Sequence, residues 1–316
     1  MQTQRKIKYP KDSMFSSSYP EIEKFLLDCK PRSPQKMRKF EEHILVDKGS
    51  STVVELIHLQ TGLSTKQIKR IMQQGAVWLE RGKNIRRIRR VKLPIQKDDK
   101  IHFYYDEEVL SQFTLPSQLI SDEKDYSIWY KPFGMLSQGS KWGDHCTINR
   151  WVEQHLTPQR PAFIVHRLDK AATGLMIIAH TKTTAKQFSE MFHSRKIDKT
   201  YRAIVNGNFK TGSKPMLIDS RVQGKEARSF FTQLKYFPEK DQSLVEVKIE
   251  TGRKHQIRIH LSDLGFPIVG DRLYGQGNEE EDLQLSSVIV SFKEPATGEM
   301  KNWELPERFL PSGMVT

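Results

Sequence analysis

Three ionisable side chains stand close together between two apolar runs of the sequence. His166, Arg167 and Asp169 follow AFIV and precede GLMIIA. A carboxylate bounded by apolar segments must be paired or hydrogen-bonded, or it takes up a proton. Asp169 is therefore a candidate reactive group, with Arg167 or another cation brought in by the fold as its partner. The alternative is a buried Arg–Asp pair that only organises a turn, and HRLD alone supports both interpretations equally.

The residues around Asp169 predict the elements that must position it. Short strands and amphipathic helices mix without regular βαβ alternation. We therefore predict an α+β fold with a mixed, mostly antiparallel sheet flanked by helices. The strand-like runs are SIWY, RPAFIVHRLD, GLMIIAH, TYRAIVNG, SLVEVKIETG and SVIVSFKEP, and the helices are TKTTAKQFSEMFHSRK, with threonine caps, and HQIRIHLSDLG, closed by Gly265.

The net charge of +13 over 316 residues is unevenly distributed. Residues 1–105 hold 23 Lys and Arg against 11 Asp and Glu, a net charge of +12, and the remaining residues hold 28 against 27. An excess of this kind indicates a basic module that meets a polyanion, joined to a nearly neutral body. A basic surface kept for solubility is the alternative, and nucleic acid is the better explanation of so local an excess.

Within the basic segment, residues 1–105, the sequence predicts a compact module over residues 40–105. Ser50, Ser51 or Thr52 can cap a helix through VVELIHLQ that stops near Gly62, and Ser64 can cap a second helix that stops at Gly75. Short strands with a turn at Gly82 follow. Seven cations of this module can meet phosphates: Lys66, Lys69, Arg70, Arg86, Arg87, Arg89 and Arg90. A solvated helix face and a charged hairpin form the alternative interpretation.

Composition limits the remaining possibilities. Residues 1–39 are turn-rich, so we predict a partly ordered arm there. We predict a separate domain over residues 117–316. No apolar run approaches the roughly 20 residues that span a bilayer, so we expect no membrane association. Cys29 and Cys146 lie in unrelated contexts, which indicates a reducing, cytoplasmic setting. His255 and His260 have no nearby carboxylate in the sequence, so we predict no metal site.

The order of elements in residues 40–105 resembles the S4 RNA-binding domain. The resemblance covers about 60 residues and depends on the spacing of apolar residues and on the stretch GAVWLERGK. Glu80 and Arg81 stand where the family usually has an Asn-Gly turn, so the geometry of the turn is less certain. The resemblance implies that this module binds RNA.

Four motifs in order resemble the RluA-type pseudouridine synthase family over residues 117–310. They are YKPFGML (130–136), HRLDKAATGL (166–175), DKTYRAIVNG (198–207) and TGRKHQIRIHLSDLGFPIVGDRLYG (251–275). Ala172 and Thr173 stand where the family usually has Thr-Ser, which changes the hydroxyls behind Asp169. The resemblance implies a pseudouridine synthase fold and an enzyme that isomerises uridine to pseudouridine in structured RNA, without a cofactor.

The resemblance also implies roles for particular residues. Asp169 matches the catalytic aspartate, as nucleophile or as base toward the sugar, and Arg258 matches the arginine that pairs with it. Tyr201 matches the tyrosine that packs on the target base, and Arg167 matches the residue that fills the gap when the nucleotide leaves its stack. As alternatives, Tyr201 is an ordinary strand aromatic and Arg258 a cation on a helix surface.

Three function classes remain for this sequence. The first is an RNA pseudouridine synthase acting as a monomer on ribosomal RNA, with tRNA as the second choice of substrate. The second is a non-catalytic RNA-binding or ribosome-assembly factor with the same fold. The third, a carboxylate enzyme acting on free nucleosides or glycans, is disfavoured because no second catalytic carboxylate is evident and a small substrate needs no basic module.

Overall fold

Both helices of the basic third begin at hydroxyl caps, which confirms the prediction. Thr52 Oγ1 accepts the Glu55 N–H (3.2 Å) and Ser64 Oγ accepts the Gln67 N–H (3.3 Å), and each partner side chain bonds back to the cap. In this computed structural model the described residues are 37–47, 52–277 and 281–315. The first three helices are α1 (Val53–Thr61), α2 (Thr65–Gln73) and α3 (Glu107–Leu110).

These helices pack against a four-stranded antiparallel sheet of order β1–β4–β2–β3. Its strands are β1 (Lys39–Leu45), β2 (Val77–Arg81), β3 (Asn84–Arg87) and β4 (Lys100–Asp106). Leu79 and Phe103 point from the sheet into a core that contains Ile57 and Met72 of the helices. We call the described residues from Lys39 to Leu110 the small module.

The turn of the small module lies at Gly82, as the sequence predicts. Arg81 pairs with Asn84 across a two-residue loop, and Gly82 has a φ of 58°. Glu80 and Arg81, which replace the usual turn residues, remain inside β2. The departure from the S4 pattern therefore leaves a tight hairpin with the turn two residues later, at Gly82 and Lys83.

A ten-stranded mixed sheet organises residues 117–315, which we call the main body. Its order is β10–β11–β12–β9–β13–β8–β6–β5, with β14 paired to β13 and β7 to β8. The β13–β8 pair is parallel and the other pairs are antiparallel, which confirms the predicted mostly antiparallel sheet. The strands are β5 (Gln118–Asp122), β6 (Tyr126–Lys131), β7 (Phe163–Ile164), β8 (Thr173–Ala179), β9 (Ile197–Asn206), β10 (Met216–Val222), β11 (Lys225–Phe237), β12 (Gln242–Ile249), β13 (Leu285–Lys293) and β14 (Met300–Glu304).

Strand β8 is apolar on both sides because both faces of the sheet are covered. Met176 and Ile178 enter one core, while Leu175 and Ile177 enter a second core with Phe188. Alternate residues of a strand face opposite sides, so a continuous apolar run marks a strand buried on both faces. The main-body helices are α4 (Ile148–His155) and α6 (Gln256–Asp263), which contribute to the first core, and α5 (Lys182–His193), which contributes to the second.

The predicted strand through RPAFIVHRLD is wrong beyond Ile164. β7 contains two residues only, and the chain from His166 to Asp169 is irregular. The half-buried His166 ring stacks on Phe192 at 4.7 Å, and its Nε2 accepts the Ile177 N–H at 2.9 Å. A side chain thus replaces the next backbone partner of β8, and the freed backbone forms the loop that carries Asp169.

A close approach explains Gly174 in the same region. Its φ is 112°, and a Cβ there would collide with the Ser287 backbone of β13. Only glycine tolerates both conditions without strain. Gly174 therefore brings the parallel strand β13 directly beside the end of the Asp169 loop.

The chain divides by its contacts into residues 1–38 and 39–316, so the small module and the main body share one compact unit. The predicted boundary between 40–105 and 117–316 separates their two cores but stays a prediction as a domain division. The predicted arm falls almost wholly on residues 1–36, outside the described residues. Across the described part of the chain, no helix is long and apolar enough to cross a membrane.

Candidate active site

The loop that carries Asp169 is tied to the loop that follows β6. Ser137 Oγ donates to the Leu168 carbonyl (2.7 Å) and accepts the Leu168 N–H (3.0 Å). The Gly134 N–H donates to the Lys170 carbonyl at 2.9 Å. Two motifs that lie 30 residues or more apart in sequence, YKPFGML and HRLDKAATGL, therefore form one wall. Ser137 could not be predicted from the sequence, because a serine in a polar loop carries no signal of its own.

Asp169 lies beside Arg258, as the resemblance implies. Arg258 Nη1 stands 3.5 Å from Asp169 Oδ2, and the two side chains are 5% and 23% exposed. Arg167, the neighbour in sequence, is exposed and makes no ion pair with Asp169 among the described residues. The geometry therefore brings Asp169 and Arg258 together and turns Arg167 toward solvent.

The closest partner of Arg258 is Asp271, which the sequence analysis did not identify. Arg258 Nε and Nη2 donate to the two Asp271 oxygens at 2.7 Å each, and Asp271 is 1% exposed. The amides of Leu273 and Tyr274 also donate to Asp271, at 2.9 and 3.1 Å. A bidentate pair fixes the guanidinium plane. Arg258 thus holds its position independently of Asp169.

The charges of this pair support each other against the cost of burial. Burial alone raises the pKa of Asp271, but the hydrogen bonds from Arg258 and from two backbone amides outweigh it, and the pKa is lowered. Burial likewise opposes the Arg258 charge, but the hydrogen bond and charge of Asp271 outweigh it and raise the pKa of Arg258. Both groups therefore remain charged near neutral pH.

His255 completes the surroundings of Asp169. Its Nε2 lies 3.8 Å from Asp169 Oδ1, and its Nδ1 shares a 2.9 Å hydrogen bond with the Tyr274 hydroxyl. Burial lowers the pKa of His255, with the charge of Asp169 acting in the opposite direction. We call Asp169, Arg258, Asp271 and His255 the cleft cluster.

The two histidines of HQIRIH point to different partners. His260 is buried, and its ring nitrogens each lie 3.1 Å from a serine hydroxyl, of Ser220 and Ser229. Gln256 Oε1 accepts from the Thr251 hydroxyl at 2.7 Å and supports the turn before α6. Among the residues that the structure describes, no group of three His, Cys, Asp or Glu side chains is placed to hold a metal.

Tyr201 lies on β9 in the wall of the same cleft, with 7% exposure. Burial raises the pKa of its phenol, and the charge of Asp169 raises it further, while a hydrogen bond with Ser287 opposes the shift. The phenol therefore remains protonated at neutral pH. Ala172, behind Asp169, is buried and donates its N–H to the Asp169 carbonyl at 3.2 Å.

Two lysines, one buried and one half-buried, have lowered pKa values. Lys131 is fully buried, and its Nζ donates to the carbonyls of Pro132 (3.0 Å) and Met135 (2.8 Å), so it shapes the turn after β6. Burial lowers the pKa of Lys131 to about 7, against the opposing effect of Asp169. Lys199 is half-buried, has no carboxylate ion pair within the described residues, and lies 5.4 Å from the Phe192 ring centre.

Asp169 lies on a cleft of about 1620 Å³. This volume exceeds the few hundred to 1,000 Å³ of small-molecule pockets. Arg167, Asp169, Lys199, Tyr201 and Arg258 line it from the main body, and Trp78 and Arg87 line it from the small module.

The seven predicted RNA-binding cations fall into two groups. Arg87 and Arg89 are 22% and 20% exposed and pair with Asp144, at 2.8 and 2.6 Å. Their charges are therefore engaged within the protein. The exposed group is Lys66, Lys69, Arg70, Arg86 and Arg90, for which phosphate binding stays a prediction.

Comparison with known proteins places this site in context. The family model described as RNA pseudouridylate synthase matches residues 125–263. A protein of Vibrio cholerae named ribosomal large subunit pseudouridine synthase D is 30% identical over 240 residues, which are 66% of this chain and 72% of the relative. An uncharacterized RNA pseudouridine synthase of Aquifex aeolicus is 27% identical over 276 residues, which are 77% and 86% of the two chains.

Solved structures agree on the fold. The structure of human RNA pseudouridylate synthase domain containing 1 superposes with a TM-score of 0.52 at 23% identity, and it covers 62% of this chain and 85% of its own. That of human RNA pseudouridylate synthase domain containing 4 gives a TM-score of 0.50 at 23% identity, with coverage of 62% and 89%. At this identity the likeness concerns the fold alone.

Proposed function

Since the chain belongs to the RNA pseudouridylate synthase family and is an isomerase acting on RNA, we propose that it converts specific uridines of ribosomal RNA to pseudouridine, with Asp169 as the catalytic carboxylate. The observation that carries the assignment of Asp169 is its position. It is a 23% exposed carboxylate on a cleft, 3.5 Å from an arginine whose orientation another residue fixes.

The reaction is an isomerisation, so the product has the same atoms as the substrate. The N1–C1′ bond of uridine breaks, the uracil turns, C5 bonds to C1′, and the proton lost from C5 is balanced by one gained at N1. Asp169 must be ionised, whether it attacks the sugar or removes a proton from it. The Arg258 guanidinium, 3.5 Å away, faces the negative charge that the reaction needs at Asp169.

Tyr201 has a role that follows from its protonation. A phenol whose pKa is raised supplies a ring face and an O–H donor, and it does not supply a phenolate base. We propose that its ring packs on the target uracil while the freed base turns. A base flipped from its stack costs a few kcal/mol, and an aromatic surface recovers part of that cost.

Cations at the cleft suit a polyanionic substrate. We propose that Lys199, two residues before Tyr201 on the same face of β9, contacts a phosphate beside the target nucleotide. Burial lowers the pKa of Lys199, with the charge of Asp198 acting in the opposite direction. Its ammonium forms no ion pair with a carboxylate among the described residues, so an anionic ligand would stabilise its charge. We propose that Arg167 occupies the space that the flipped nucleotide leaves.

Asp271 does not act as a second catalytic carboxylate in this proposal. It is 1% exposed and its oxygens accept four hydrogen bonds, from Arg258 and two amides. A general acid must reach its substrate with an available proton. This argues against glycan hydrolysis by an Asp169–Asp271 pair.

The substrate class rests on the names of relatives. Ribosomal large subunit pseudouridine synthase D is the name of the Vibrio cholerae relative and of a Borreliella burgdorferi protein that is 34% identical over 211 residues, which are 58% of this chain and 64% of that protein. We propose large-subunit rRNA as the first substrate and tRNA as the second. A monomer working in the cytoplasm completes the proposal, and size-exclusion chromatography tests the monomer.

A single-turnover experiment tests the function. Transcribed large-subunit rRNA is incubated with the wild-type protein, Asp169→Ala, and Asp263→Ala, an exposed aspartate on the helix of Arg258. We expect pseudouridine from the wild type and the control, and a loss of at least about a thousandfold in Asp169→Ala with RNA affinity retained. Turnover by Asp169→Ala would remove this residue from its role, and RNA binding without turnover by the wild type would favour the non-catalytic binding factor.

A further inference from the structure

We propose that Asp144 is a positioning residue that fixes the small module against the wall of the catalytic cleft, so that one RNA contacts the module and Asp169 together. This inference rests on the proposed function. Its partner is the stretch of RNA that flanks the target uridine.

Asp144 joins the main body to the small module through its buried carboxylate and two partly buried arginines. Its side chain is 6% exposed, and Oδ2 accepts from Arg87 Nη1 at 2.8 Å and from Arg89 Nη2 at 2.6 Å. The Asp144 N–H also donates to the Gln74 carbonyl of the small module at 3.0 Å. We call Asp144, Arg87 and Arg89 the junction cluster. Removal of one member of a buried ion pair is strongly destabilising, so the cluster holds its geometry.

The side chains of Asp144 and Arg89 pack so closely against Gly75 that a side chain at this position would not fit. Gly75 has a φ of 82°, and a Cβ there would overlap the Asp144 carboxylate. Arg87 Nε donates to the Gly75 carbonyl at 2.7 Å, and Arg87 Nη2 donates to the Ser140 carbonyl. The donor nitrogens of Arg87 are therefore engaged inside the protein and do not extend toward a phosphate.

Aromatic contacts extend the junction along the loop before Asp144. Trp78 Nε1 donates to the Lys141 carbonyl at 3.2 Å, and the Arg87 guanidinium lies 4.4 Å from the Trp78 ring centre. Trp142 meets the edge of Tyr104, with ring centres 5.6 Å apart. The loop thus lies on the sheet face of the small module opposite its helices.

The same loop is a wall of the catalytic cleft. Residues 136–141 line the cleft together with Asp169, and Ser137 bonds Leu168, the residue before Asp169. Trp78 and Arg87 line the cleft from the other side of the junction. A nucleic acid that places a nucleotide at Asp169 therefore passes directly beside the small module.

This arrangement gives the exposed cations Arg86 and Arg90 a fixed distance from Asp169. Both flank the engaged arginines in sequence and are exposed. Two binding regions held in a rigid relation convert the second contact into an intramolecular event, which raises affinity by about 10² to 10⁴ when the geometry fits. Loss of the junction should therefore affect long RNA more than short RNA.

The experiment compares two RNA lengths. Wild type, Asp144→Asn and the control Asp98→Asn, an exposed aspartate of the small module, react with transcribed large-subunit rRNA and with a short stem-loop containing its modified uridine. For Asp144→Asn we expect KM on the long RNA to rise on the order of tenfold to a hundredfold with kcat unchanged. KM and kcat on the stem-loop should match the wild type, and hydrogen exchange in residues 137–147 should be faster.

Other outcomes overturn the inference. An unchanged KM on the long RNA, or an equal fall of kcat on both RNAs, would show that Asp144 does not position the module. If Asp144→Asn does not fold, Trp142→Ala weakens the same junction without leaving a buried charge and is judged by the same criteria. A wild type that modifies neither RNA contradicts the proposed function instead, so the two failures are distinguishable.

Discussion

The cleft cluster and the junction cluster pair arginines with carboxylates in opposite stoichiometry. In the cleft cluster one arginine faces two carboxylates, and in the junction cluster one carboxylate faces two arginines. The arginine of the cleft lies 2.7 Å from the Asp271 oxygens and 3.5 Å from Asp169 Oδ2, and Asp169 stays accessible at 23% exposure. The junction carboxylate engages both arginines, which withdraws them from solvent. An ion pair thus prepares one group for chemistry and removes others from the binding surface.

The comparison also concerns distance along the chain. Asp271 and Arg258 lie 13 residues apart, while Asp144 lies 57 residues from Arg87. The first pair is internal to one motif and the second joins two cores. Loss of the first should disturb the catalytic residues themselves, and loss of the second should disturb the arrangement of the parts.

The largest effect on stability is expected at Asp271. Asp271→Ala leaves Arg258 buried without its bidentate partner, which costs about 3–5 kcal/mol of unfolding free energy. Misplacement of the guanidinium should also lower single-turnover rates by about a hundredfold. Urea unfolding and single-turnover assays measure the two effects, and Asp271→Asn, which keeps one acceptor, should lie between. A fully active Asp271→Ala would show that Arg258 needs no support from this residue.

The arginines of the hairpin provide the next prediction. Replacement of the exposed pair Arg86 and Arg90 by alanine should reduce the slope of log affinity against log salt by about 2, because each phosphate contact contributes about one counterion. Replacement of the engaged pair Arg87 and Arg89 should weaken binding without that change in slope. Affinity measured at several salt concentrations decides, and equal slopes for the two double variants would contradict the distinction.

The smallest effect concerns acid. The folded-state pKa of Asp271 is lowered, so its contribution to stability is complete above the unfolded value near 4 and is lost as the pH falls through the folded value. We expect the urea concentration at which half of the wild type is unfolded to decrease when the pH is lowered below about 4. Asp271→Asn should lack this part of the acid loss. Parallel acid limbs in the two proteins would contradict the assignment.

Local signals in the sequence predicted the elements well. Helix caps at Thr52 and Ser64, the turn at Gly82 and the apolar strand β8 depend on neighbours in sequence, and each is present. The strand beyond Ile164 was predicted wrongly, because the contact of His166 with Ile177 is tertiary and overrides the apolar pattern.

The cleft was predicted in part for the same reason. Asp169 and Arg258 followed from motifs, and the structure brings them within 3.5 Å. Asp271 lies in the fourth motif, within GDRLYG. An aspartate whose side chain accepts from the amides two and three residues later is typical of a turn, and only the fold shows that Asp271 also binds Arg258. Asp144 had no signal, since its partners come from another core.

The most direct test of the central claim is a map of pseudouridine in total RNA from cells that lack the gene. The cells are complemented with the wild-type protein or with Asp169→Ala at the same protein level. The account predicts that specific large-subunit rRNA uridines lose modification on deletion, regain it with the wild type, and stay unmodified with Asp169→Ala. Restoration by Asp169→Ala, or a map that is unchanged in ribosomal RNA after deletion, would contradict it.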